Sequence, residues 1–285
     1  MYFSGTGNTY LAVKRYIEVL KGLDISVDLI ALEKYENGID VSEYDRVGIA
    51  YPIHAFNAPR IVLNKLKLIN ASEEPKKAFT IMVSGEPLNF NHTSSDRVRK
   101  ILKKRNIFIE SEYHYVMPYN MIFRHTENMA YKMYQTMNKL VEVHVHNYFI
   151  DCIRNRLKKP VIGHFLTVLL RIEQAFAPIN GKHFKVDMSK CIKCMKCIDT
   201  CPTDNIKFED DKFVFLNKCI LCTRCSFNCP KDAFKIALLN NWRVNKKYKF
   251  IEPKEVEINK HSCFCKKSYD KYFRESEKLI ESFNN

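Results

Sequence analysis

Through residues 1–122 the apolar positions switch repeatedly between two rhythms. Val13, Tyr16, Ile17 and Leu20 recur at helical spacing, as do Val62, Leu66 and Ile69, and then Val98, Ile101 and Leu102. Short strand-like stretches lie between them. These are Met1–Phe3, the alternation Ile25, Val27, Leu29, the run Val47–Tyr51 ending at Pro52, the run Phe79–Val83 ending at Ser84-Gly85, and Tyr113–Met117. Pro59 suits a helix start, and Ser94 or Ser95 suits a cap. Strands alternating with helices predict an α/β domain with a doubly wound parallel sheet. Such a sheet binds ligands at the carboxyl ends of its strands.

Beyond that domain the strand rhythm stops. Residues 126–177 read as helical, with Leu140, Val141, His144, Val145 and Tyr148 grouped and Pro160 as a break. The expected organisation is an α/β domain at 1–122, a helical connector at 123–182 packing between the halves, a small α+β domain at 183–240, and a C-terminal extension at 241–285. Within the small domain Lys207 to Leu216 predicts a hairpin turning at Glu209-Asp210-Asp211, and Tyr269 to Phe283 predicts a charged helix.

Candidate chemistry begins at the first turn. Ser4-Gly5-Thr6-Gly7-Asn8-Thr9 joins the first strand to the first helix. Small residues let backbone N–H groups close around a phosphate at a helix N-terminus, and the hydroxyl and amide side chains add donors. No lysine follows, which excludes a Walker loop, and Tyr10 stands where a dinucleotide fingerprint needs glycine. The segments Pro52-Ile53-His54-Ala55-Phe56-Asn57 and Ser84-Gly85-Glu86-Pro87-Leu88-Asn89 belong to the same strand ends. Only three residues precede the loop, so the first strand is very short or starts upstream.

Eight of the eleven cysteines fall in 39 residues and spell one motif twice. The copies are Cys191, Cys194, Cys197, Cys201 before Pro202, and Cys219, Cys222, Cys225, Cys229 before Pro230, offset by 28 residues. Ile206 maps onto Phe234 and Phe208 onto Ile236, apolar positions suited to shielding a cluster from water. Disulfides would need an oxidising compartment, and zinc would leave half of each run idle. The run C-x2-C-x2-C-x3-C-P resembles that of bacterial ferredoxins with two 4Fe–4S clusters. That resemblance implies crossed ligation. Cluster one takes Cys191, Cys194, Cys197 and Cys229, and cluster two takes Cys219, Cys222, Cys225 and Cys201.

The first half resembles the flavodoxin family, through Ser4–Thr9 and the order of its elements. The whole chain looks like the fused flavodoxin–ferredoxin proteins of anaerobes. The resemblance implies FMN, with its phosphate on Ser4–Thr9 and its ring between the two later loops. His54 or Phe56 would cover a ring face, or else simply pack the loop. Asn57 and Ser84–Asn89 would meet the ring's polar edge.

The net charge of +14 changes the picture of partners. Two clusters with their thiolates and a flavin phosphate, at about −2 each, would still leave roughly +8. Besides a merely solvated surface, this fits docking onto an acidic redox protein such as a small ferredoxin. Nucleic acid is a weaker reading without a recognition motif. Arg154, Arg156, Lys158 and Lys159 precede the apolar run Val161–Leu170, which is too short to span a bilayer but suits a membrane surface. Oxygen-sensitive clusters point to a soluble, cytoplasmic protein. Cys152 is expected to be a buried thiol, and His261, Cys263 and Cys265 lack a fourth zinc ligand. No acid, base or nucleophile constellation stands out. The expected role is therefore electron relay between FMN, the clusters and a partner. The alternatives are a flavin-dependent reductase of a small molecule and a nucleic-acid-binding redox sensor.

Overall fold

The computed structural model describes residues 1–254 and 265–285. Three parallel strands, β1 (Arg46–Pro52), β2 (Lys76–Ser84) and β3 (Ile107–Val116), pair in that order. On the other side of β1, Tyr2 bridges in parallel to both Ala50 and Ala31. The segments therefore lie side by side in the order Ala31, Tyr2, β1, β2, β3. The expected strand Ile25–Leu29 has no ladder of its own, and pairing is confined to Ala31. Its neighbour is only Met1–Phe3, which offers too few backbone groups to pair with more.

Helices cover both faces. α1 (Asn8–Gly22) and α4 (Glu127–Val145) set Val13, Tyr16, Leu20, Met137, Leu140 and Val141 against Ala50, Phe79, Ile81, Val83, Tyr113 and Tyr115. On the opposite face α2 (Arg60–Leu66) and α3 (Ser95–Lys103) set Val62, Leu66, Val98 and Leu102 against Phe3, Ile49, Tyr51, Ala78 and Met82. Alternate strand residues supply the two cores, as the period of two requires. Neither Ser94 nor Ser95 caps α3 through its side chain. Ser94 Oγ donates to Met82 Sδ at 3.1 Å and Ser95 Oγ to Glu112 at 2.5 Å, so both hydroxyls serve the core instead.

The segment 123–182 divides. α4 lies on the α1 face, as a layer of the sheet domain and not between the halves. A wide helical turn at His146–Ile150 ends it. Cys152 follows at φ 57° and is exposed, contrary to the sequence expectation, because the chain has already left the helix face. Residues 151–160 then run along β3, where Glu112 N donates to Asn155 O, Asn155 Nδ2 donates to Glu112 O, and Lys159 pairs with buried Glu112 at 2.9 Å. This crossing delivers α5 (Val161–Leu169) and α6 (Arg171–Lys182) to the carboxyl ends of the strands.

The cysteine-rich part is a pseudo-twofold unit. α7 (Lys196–Asp199) and α8 (Arg224–Phe227) are one turn each, 28 residues apart. β4 (Lys185–Val186) pairs with β7 (Phe234–Lys235), and β5 (Ile206–Glu209) with β6 (Lys212–Phe215) through a turn with Asp210 and Asp211 at positive φ. Phe184, Ile206, Phe215, Leu221, Phe234 and Ile236 form its core. α9 (Lys266–Asn284) folds back onto α4 through Tyr269 and Phe273, beside Val116 and Met133. His261 and Cys263 lie outside the described residues.

Candidate functional site

The two cysteine runs adopt the same local geometry. Lys193 and Leu221, Met195 and Thr223, and Asp204 and Asp232 all take positive φ, each pair 28 residues apart. These left-handed residues curl the backbone so that its N–H groups turn toward sulfur. Lys193 N donates to Cys191 Sγ and Leu221 N to Cys219 Sγ, both at 3.4 Å. Asn205 N donates to Cys201 Sγ at 3.3 Å and Ala233 N to Cys229 Sγ at 3.4 Å. Such bonds favour the thiolate and help set a cluster's potential.

Two concave sites result. One is lined by Cys191, Cys194, Cys197 and Cys229, together with Cys225, and has Ile192, Phe213 and Phe234 among its apolar wall. The other is lined by Cys201, Cys219, Cys222 and Cys225, with Phe184 and Ile206. Each run thus contributes its fourth cysteine to the other run's site. Burial, and then the neighbouring sulfurs, push the thiols up. Cys197 and Cys219 rise to about 11 and Cys222 to about 12, and Cys225 is likewise held well above its ordinary value. The sulfur of Cys201 acts on Cys219, Cys222 and Cys225, across the repeat. Four thiolates in one dry site repel each other until a cationic core offsets them, so binding iron must release protons. Among the described residues no three His, Cys, Asp or Glu side chains close on a single ion. The four sulfurs around each concavity are the donor set a cubane cluster takes.

A third cavity, of about 510 Å³, opens at the carboxyl ends of the strands. Its size lies within the usual range for small-molecule sites. Ser4, Gly5, Thr6, Asn8 and Thr9 line it, as do Pro52, Ile53, His54, Ala55 and Phe56, and Ser84, Gly85 and Glu86. Gly7, Asn57 and Asn89 stand outside the lining. Gly7 turns the chain into α1 at φ 115°. Asn57 is buried and donates to Ala55 O and to Thr167 O of α5, so its amide fixes loops instead of facing the cavity. His54 and Asn57 exchange backbone bonds at 2.9 Å around Ala55 and Phe56, both at positive φ. Burial lowers His54 to about 4 and keeps it neutral.

Ser4 Oγ accepts from Gly7 N and Tyr10 N, which shapes the loop, and Asn8 Nδ2 ties it to Pro118 O. Thr6 Oγ1 accepts from Asn120, whose own Oδ1 is buried on the cavity wall without a hydrogen bond among the described residues. No lysine or arginine lines the cavity. An anion there would be held by hydroxyl, amide and backbone donors and the α1 dipole, so the residues fit a single phosphate. Glu86 accepts from Tyr119 at 2.5 Å, and burial raises its carboxyl above the ordinary range.

Sequence reasoning missed several walls. The loop after β3 contributes Pro118–Ile122, α6 contributes Glu173, Gln174, Phe176 and Ala177 with Leu170 just before it, and Leu239 and Trp242 close one side. The rule that ligands bind at strand ends could have flagged the loop after β3, but nothing local marked α6 or Trp242. The most consequential omission is the cluster loop itself, since Ile220, Leu221, Cys222 and Thr223 also line this cavity. A Cβ on Gly5 would meet Cys222 O at 2.8 Å, so only glycine lets the two loops touch there. Arg224 fixes the contact. Its guanidinium donates to Ser4 O at 2.6 Å, Gly5 O at 3.1 Å, Thr200 O at 3.0 Å and Glu33 at 2.8 Å.

Residues 184–207 match the family model described as a 4Fe-4S binding domain. No curated protein matches the chain. The match and the clustered cysteines give this part of the chain 4Fe–4S binding and iron–sulfur electron transfer. No helix among the described residues is long and apolar enough to cross a membrane.

Proposed function

We propose that the chain is a flavin-linked iron–sulfur electron carrier of the flavodoxin–ferredoxin kind, with FMN in the large cavity and two 4Fe–4S clusters ligated across the repeat. One observation carries this reading: Cys222, a ligand in the second cysteine site, belongs to a loop that also walls the cavity where FMN would lie. The order Ala31, Tyr2, β1, β2, β3 supports the flavodoxin-like part. Ser4, Thr6, Asn8 and Thr9 would hold the phosphate. His54, Phe56, Gly85 and Glu86 would surround the ring and keep water from it. When bound, FMN would supply two-electron capacity beside the one-electron clusters.

The partner is an acidic redox protein, such as a small ferredoxin, in a cytoplasmic setting. Lys190, Lys196 and Lys218 stand exposed beside the cluster loops for it, whereas Lys193 pairs with Asp211 at 2.8 Å and Arg224 is spent inside. A small-molecule reductase is favoured by one observation, that the cavity extends past the strand ends to Phe176 and Trp242.

Anaerobic purification with iron, sulfide and flavin quantified together tests the proposal. It expects eight iron, eight sulfide and one FMN per chain. Four iron, or stoichiometric FAD, would overturn it. Flavin reoxidation by candidate small molecules faster than by acidic ferredoxins would move the conclusion to the reductase.

A further inference from the structure

α5 and α6 are inside out. α5 turns Gly163 and Thr167 inward, where Thr167 and Thr93 share a hydroxyl bond of 2.5 Å. Its apolar side chains face outward, with Val161 87%, Phe165 68%, Ile162 59% and Val168 57% exposed. α6 repeats the inversion. Ala177, Asn180 and Gly181 are buried, while Ile172 is 72% exposed. Single exposed apolar residues are ordinary, but a continuous helical stripe of them marks a contact surface.

Beside this stripe sit three arginines from three elements: Arg60 opens α2, Arg97 lies on α3 and Arg171 opens α6. Burial, then the nearby charges of Arg171 and Arg60, draws the Arg97 guanidinium below its ordinary range. None makes an ion pair or hydrogen bond among the described residues, and Arg171 Nε is buried without a partner. The nearby Asp96 is already engaged by Lys159 and His164. Arg156 and Lys158 are exposed where the chain enters α5.

We propose that α5 and α6 dock the protein on an anionic membrane surface, with Val161, Phe165 and Ile172 entering the acyl boundary and Arg60, Arg97 and Arg171 taking up lipid phosphates. Charge selects this occupant. A second copy would set one arginine cluster and one net-positive protein against another. The apolar residues protrude as knobs, which a fluid acyl boundary accepts without a matching pocket. α6 also walls the large cavity through Gln174, Phe176 and Ala177, so the docked surface and the cavity share a helix.

Flotation of the full chain with phosphatidylcholine vesicles, with and without phosphatidylglycerol, tests this. Binding should require the anionic lipid and weaken with salt. Phe165→Asp with Ile172→Asp should reduce it roughly tenfold or more. Each of Arg60→Gln, Arg97→Gln and Arg171→Gln should reduce it about fivefold. Circular dichroism and iron content should match the parent, since the stripe is exposed. Failure of the parent chain to float with anionic vesicles would overturn the proposal. So would flotation unchanged in all variants, or a doubled mass in solution that Ile172→Asp abolishes, which would make a second copy the occupant.

Discussion

Replacing Arg224 with alanine removes the clamp between the Ser4–Thr9 loop and the cysteine loops. The side chain is only 15% exposed, and its partner Glu33 14%, so solvent screens the pair weakly. Four charge-assisted hydrogen bonds vanish together, to Ser4 O, Gly5 O, Thr200 O and Glu33. Their energies do not add, because water can reach part of the gap. Breaking one partner of a buried pair costs about 3–5 kcal/mol, and that is the expected loss of stability. The loop Ser4–Gly5 then loses its brace against Cys222. A loosening of about 1–2 kcal/mol would weaken FMN roughly five- to thirtyfold. Arg224→Lys keeps the charge but not the fork, so it should recover only part of either quantity. Urea unfolding gives the stability, and quenching of flavin fluorescence gives the affinity. A double-mutant cycle with Glu33→Gln separates the ion pair from the three carbonyl contacts. The reasoning fails if Arg224→Ala unfolds within about 0.5 kcal/mol of the parent, the usual scale of an inert surface change.

Three further outcomes follow from the same geometry. Cys229→Ser should remove the EPR signal of the cluster held by Cys191, Cys194 and Cys197, while Cys201→Ser should remove the other; the opposite pattern would refute the crossed ligation. Gly181→Ala places a Cβ 2.1 Å from Cys219 Cβ and 2.7 Å from its sulfur. It should cost about 1–3 kcal/mol through overpacking and damage the Cys219 cluster before the other, read as iron loss and EPR intensity. Burial lowers His144 from 6.5 to about 4. A histidine with a lowered folded value binds its proton more readily when unfolded. Its stabilisation is therefore present above 6.5 and is lost as pH falls toward 4, at up to ~1.4 kcal/mol per unit. Urea midpoints between pH 7 and 5 should fall less in His144→Gln than in the parent, and equal slopes would rule the contribution out.

The sequence by itself determined what local chemistry can encode. Helical stripes and apolar runs placed α1, α2, α3 and β1–β3 because periodicity reports which side of an element is buried. The doubled cysteine run named the candidate cluster ligands and their offset of 28, and the structure carries that offset into matched backbone angles. The loop Ser4–Thr9 was legible as a candidate anion site because such a turn is made of neighbouring residues. Contacts between distant segments were not legible. The burial of Asn57 against Thr167 depends on a crossing more than a hundred residues later. The exposure of Cys152 depends on where a helix lets go of the sheet. The reversed faces of α5 and α6 defeat any periodicity rule, since the pattern says which side is apolar and only packing says which way it points. The junction of Arg224 with Gly5 and Ser4 joins residues 219 and 220 positions apart, and beside it only a glycine at position 5 leaves room for Cys222 O. Local pattern sets what each element can bury, and tertiary packing decides what it meets.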